Sequence, residues 1–154
     1  MMELCAPGAY FRLTLLGYQH PDAEGEPYDA NWLRVRVDAA GPQGAWSVTD
    51  PCLLTREAAA LADWLEMLSS GQASPAISFL EPALLFRLIR REGGEQFLRV
   101  HFGSLVRPAW LSEPGQPRQN PDRWLDFPLT SLDLSAAAGS LRRQLKKYPA
   151  RKER

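Results

Sequence analysis

Apolar side chains return at every second position in seven short stretches of this chain, and at every third or fourth position in only two. A period of two puts alternate side chains on opposite faces of a strand, whereas a period near 3.6 gathers them into one stripe on a helix. The clearest strands are Tyr10–Leu16, with Phe11, Leu13 and Leu15 on one face, and Trp32–Val37, with Leu33, Val35 and Val37 on one face. Gly41-Pro42-Gln43-Gly44 reads as a hairpin turn into Trp46–Thr49. Ala76–Leu80, Leu84–Arg91, Phe97–Phe102 and Trp124–Leu129 follow, with Gly93-Gly94 turning the chain between the second and third of these.

Thr55 stands where a helix cap is expected, ahead of the stripe Ala58, Leu61, Ala62, Leu65 and Leu68, and Gly71 lies just past its end. The last stripe is Leu134, Ala137, Ala138, Leu141, Leu145 and Tyr148, stopped by Pro149. Residues 149–154 form a basic tail expected to fray. The order is β-β-β-α-β-β-β-β-α. Short turns between consecutive strands imply an α+β fold in which a largely antiparallel sheet of about seven strands is covered on one face by two helices. At 154 residues a single domain spanning 1–154 is expected. Four prolines between Gly103 and Asp122 make that stretch a long loop or flap.

Charge is balanced overall but not along the chain. Residues 1–81 carry 11 acidic and 4 basic side chains, and residues 82–154 carry 7 acidic and 14 basic ones. Two halves of one fold that attract each other account for this more simply than a polarised partner does. No apolar run approaches the roughly 20 residues that span a bilayer. Met1–Gly8 lacks the basic-then-apolar order of a signal peptide, and Cys5 and Cys52 are too few for a disulfide framework. Two reduced thiols in a cytoplasmic protein are therefore expected, although a bridge between them remains open at this stage.

Residues able to carry chemistry are sparse. The histidines are His20 and His101, and no nucleophile elbow or phosphate-binding glycine loop occurs. No catalytic, metal or cofactor site is assigned. The loop His20–Asp29 collects one imidazole and four carboxylates, but its spacing fits no calcium loop. Tyr10, Arg12, Trp32, Arg34, Arg36, Arg87, Arg91, Arg99 and His101 are expected to share an outer sheet face. Such a face could stack single-stranded nucleic acid. Arginine stems covering a solvated sheet, or a protein-binding surface, explain it at least as well.

Five segments follow one another along the chain: Asp29-Ala30-Asn31-Trp32-Leu33, Pro51-Cys52-Leu53-Leu54-Thr55, Trp64-Leu65, Phe79-Leu80-Glu81-Pro82 and Leu145-Lys146-Lys147-Tyr148-Pro149-Ala150-Arg151. Taken in this order they resemble the WapI family of immunity proteins, small bacterial proteins. The resemblance implies a cytoplasmic protein that shields its own cell from a secreted, contact-dependent toxin, for the namesake a protein similar to a tRNA-cleaving nuclease. It also implies stoichiometric binding without catalysis or cofactor.

No functional residues carry over from the family. The candidate partner-binding set is Asp22, Glu24, Glu26, Tyr28, Asp29, Asn31, Trp32 and Arg34. The four carboxylates would mimic phosphate in a basic nuclease site. A local role for Asn31 or Asp29, bonding the backbone at the turn, competes with direct contact. A nucleic-acid-binding module and an enzyme of another type are the alternatives.

Overall fold

A computed structural model describes residues 1–22, 29–103, 106 and 124–151. All seven expected runs form strands, and an eighth precedes them. The strands are β1 (Met2–Ala6), β2 (Ala9–Tyr18), β3 (Trp32–Gly41), β4 (Gly44–Leu54), β5 (Ala76–Ser78), β6 (Leu84–Arg90), β7 (Gln96–Phe102) and β8 (Trp124–Pro128). The helices are α1 (Thr55–Ser69) and α2 (Leu134–Leu145), so the α+β class holds.

Each strand pairs antiparallel with its neighbour in sequence, but in two sheets, β1-β2-β3-β4 and β5-β6-β7-β8. Short turns account for four of these six pairings, all but β2–β3 and β7–β8. Ala6 pairs with Ala9, and Gly41 with Gly44, so each hairpin is closed by two residues. Gly93 and Gly94 both have φ near +90° (89° and 87°), a conformation that residues with a Cβ rarely adopt. α1 separates strands 4 and 5, and there the sheet divides.

The inner faces share one core. Phe11 of the first sheet meets Phe86 edge-on at 5.7 Å and Phe102 at 6.0 Å, both from the second. α1 adds Leu61, Trp64 and Leu65 to this core, and α2 adds Ala138 and Leu141. Each fully buried leucine contributes roughly 1.5–3 kcal/mol of apolar transfer. The helices also touch side by side, Arg142 reaching Asp63 at 3.0 Å and Glu66 at 3.6 Å.

One detail of the helix starts differs from expectation. Thr55 is the first helical residue and not its cap; the backbone N–H of Leu54 is satisfied by Glu57 Oε1 at 3.0 Å. That frees the Thr55 hydroxyl to reach Asn31, as described below. Asp133 caps α2, accepting from the Ala136 N–H at 3.0 Å.

Candidate functional site

The path of β2 is interrupted once. Leu15 lies opposite Val35 and Gly17 opposite Arg34, leaving Leu16 as an extra residue. Such a bulge reverses which residues face the core from that point on. Tyr18 would otherwise share the outer face with Tyr10 and Arg12. It instead pairs with buried Leu33 and meets the end of the chain. Its ring stands edge-on to Tyr148 at 5.8 Å, and its hydroxyl donates to the Pro149 carbonyl.

Arg151 completes this corner. Its Nε donates to Ala30 O at 2.6 Å, Nη1 to Pro21 O at 2.7 Å and Nη2 to His20 O at 2.8 Å. The same guanidinium lies 3.9 Å from the Tyr18 ring centroid. A planar fork of donors suits three carbonyls in a way that an ammonium cannot. Its backbone is held as well: Arg151 N–H donates to Asn31 Oδ1 at 2.7 Å, and Asn31 Nδ2 donates to Arg151 O at 3.0 Å. The Thr55 hydroxyl donates to the same Asn31 oxygen at 3.2 Å. The tail expected to fray from residue 149 is therefore tied down through Arg151. Burial raises the Tyr18 phenol above its ordinary range, with the nearby Arg151 charge opposing that shift.

The corner is anchored further by α2 and the turn after it. Gln144 Oε1 accepts from Leu15 N–H at 2.7 Å and its Nε2 donates to Leu13 O at 3.3 Å. These β2 groups lie just beyond the point where β1 begins opposite Leu13, so one side-chain amide continues the ladder. Tyr148 donates to Leu16 O at 3.2 Å.

The candidate residues divide accordingly. Asn31 is buried and its amide is occupied within the fold, so it positions the loop and does not face outward. Trp32 is half-buried and Arg34 exposed on the outer face of β3, and Asp22 is exposed at the near end of the loop. Glu24, Glu26, Tyr28 and the Asp29 side chain lie outside the described residues. Sequence reasoning missed Tyr18 and Arg151, although Arg151 stood within a segment singled out for its resemblance.

The expected basic and aromatic platform is not one surface. Tyr10, Arg12, Arg34 and Arg36 lie on the first sheet, whereas Arg87, Arg99 and His101 lie on the second. The sheets share a core between their inner faces, so their outer faces point apart. Several of its cations are also engaged. Arg12 meets Glu3 at 2.6 Å, Arg36 meets Asp38 at 3.1 Å, and Arg91 and Arg99 both meet Asp126, at 3.1 and 2.7 Å. Arg99 also lies over Trp124 at 4.6 Å, which places this tryptophan on the sheet surface and not in the core.

His101 Nε2 is buried without a hydrogen-bond partner. Burial lowers its pKa, and the Arg87 and Arg99 charges lower it further. Among the described residues no carboxylate or nucleophile bonds either imidazole. Nor does any group of three His, Cys, Asp or Glu side chains converge there as metal ligands would. Cys52 is buried and free, Cys5 exposed and free. No helix among the described residues is long and apolar enough to cross a membrane.

The sequence profile of the WapI-like immunity protein family matches residues 5–149. The chain belongs to that family. The match spans every element from the end of β1 to the turn after α2, including Asn31, Thr55, Tyr18 and Tyr148 of the corner just described. Searches of curated proteins and of solved structures found no match. A WapI-like immunity protein acts on a toxin in general terms, and in this member Arg151 joins the His20, Pro21 and Ala30 carbonyls.

Proposed function

We propose that the protein neutralises a nuclease-type toxin in the cytoplasm by stoichiometric, non-catalytic binding, with the loop from His20 to Asp29 as the principal contact. The observation that carries this reading is that a single guanidinium bridges both feet of the loop. Arg151 holds the His20 and Pro21 carbonyls at one end and the Ala30 carbonyl at the other. A loop fixed at both feet loses less conformational entropy on binding than one free to wander. The loop carries Asp22, Glu24, Glu26 and Asp29. A nuclease site built to hold phosphate attracts such carboxylates and accelerates encounter. Tyr28, Trp32 and Arg34 would flank that contact, being residue types that often dominate interface energetics.

The test is a titration against the nuclease domain of any toxin encoded beside this gene, with growth rescue scored in parallel. Sub-micromolar one-to-one binding with rescue is expected. Reversing the charge of Asp22, Glu24, Glu26 and Asp29 together should weaken binding and flatten its salt dependence. Unchanged affinity and salt slope would reject the loop as the contact. A larger loss from Trp32→Ala and Arg34→Ala would move the contact to the outer face of β3.

A further inference from the structure

β1 is an edge strand, and the direction of its backbone groups follows from its hairpin. Ala6 pairs with Ala9 across a two-residue turn, so Ala6, Leu4 and Met2 exchange hydrogen bonds with β2. Met1, Glu3 and Cys5 then direct their N–H and C=O groups to the open side. One contact agrees with this parity, the Ser140 hydroxyl of α2 donating to Met1 O. Beyond it, none of the described hydrogen bonds uses the Glu3 or Cys5 backbone on that side.

The open side faces a groove of about 740 Å³ between β1 and α2, with Ser131–Asp133 at one end. Its charges are unequal. Arg143 in the last turn of α2 and Lys147 in the turn just after it are exposed and make no ion pair with any described residue. Glu3 is neutralised by Arg12 at 2.6 Å, and Asp133 is occupied in capping α2. Arg143 also folds back along its helix over Gly139, where a Cβ would stand 3.4 Å from its Nη1.

We propose that this groove binds an extended, acidic segment of a partner protein, which adds a strand to β1 and sets its carboxylates against Arg143 and Lys147. Main-chain bonds to Glu3 and Cys5 would fix register, and the two cations would select for acidic side chains. A strand in this position would also cover an edge that is otherwise free to pair. None of the groove residues belongs to the acidic loop, so the inference stands independently of the toxin contact.

The probe is a capped synthetic peptide alternating Glu with Val, compared with its Lys–Val counterpart. Amide spectra of the protein should shift at Glu3 and Cys5 on adding the acidic peptide, and the basic one should leave them unmoved. The acidic peptide should also slow maleimide labelling of Cys5 in the unaltered protein, which needs no variant to fold. Reversing both cations, with Arg143→Glu and Lys147→Glu, should weaken binding roughly tenfold, because two exposed attractions become repulsions. The proposal is overturned if neither amide moves and labelling is unaffected, or if both peptides bind equally. It is likewise overturned if the protein alone sediments as a dimer with those amides already protected, which would make a second copy the occupant.

Discussion

Asn31 and Arg151 bind each other as two strands would, through a reciprocal pair of hydrogen bonds at 2.7 and 3.0 Å between a side-chain amide and the main chain. The amide also accepts from Thr55, so three segments far apart in sequence converge on one side chain. Asn31→Ala should therefore destabilise the fold by roughly 2–3 kcal/mol, because buried polar groups are left unpaired. Asn31→Asp should not rescue it, since a carboxylate would face the Arg151 carbonyl that the amide now serves. Urea unfolding of the two variants checks both statements.

Arg151→Ala removes the bridge between the loop's feet but leaves Asn31 its backbone partners. The expected outcome is a small change in global stability and a large one in local protection. Hydrogen exchange should quicken at Gln19, His20, Asp22, Ala30 and Asn31, with little change in β7. Arg151→Lys should behave like the alanine variant, because one ammonium cannot span three carbonyls. If Lys restores full protection, charge and not the fork geometry is what holds the loop.

Why was this corner hard to read from the sequence, when the strands around it were plain? Alternation in β3, in β7 and in β2 up to Leu15 is regular because one face of each is buried, and it shows directly in the residues. The bulge at Leu16 leaves no such mark, since an extra residue is recognised only from its pairing, and with it went the inward placement of Tyr18. β1 was missed because its alternation covers just Met2, Leu4 and Ala6 with an apolar Cys5 between them, and its pairing with β2 decides the matter. The division into two sheets was equally hidden, because periodicity reports which face is buried and not which strands pair. Of the candidate site, Asn31 was marked by its place before β3, but its partner lay 120 residues away.

The two thiols should differ sharply. Cys52 is buried and its pKa is pushed up to about 12, mainly by burial and then by nearby Asp50. Cys5 is exposed, and its pKa is raised by partial burial and by Glu3. Since the thiolate is the reactive form, one thiol should react with a disulfide reagent in the native protein and two after denaturation. Glu3→Gln should speed labelling of Cys5 at neutral pH. Two fast thiols in the native state would mean that β4 does not protect its inward face.

Asp50 is the other product of that inward face. It lies opposite Val35 on β4, is 6% exposed, and no cation pairs with it among the described residues. Burial raises its pKa above the ordinary 3.8, and the Glu81 charge adds to the effect. Between the two values the folded state holds the proton more tightly than the unfolded chain does, so stability falls as pH rises from about 4 through the folded pKa. Asp50→Asn keeps the shape and removes the charge. The variant should be more stable than the parent at neutral pH, and the difference should shrink as pH falls, vanishing below the ordinary 3.8, where Asp50 is protonated in both states. Unfolding free energies across that range decide the question. A variant less stable at every pH would show that the carboxylate is held by a favourable contact and that burial is not its dominant influence.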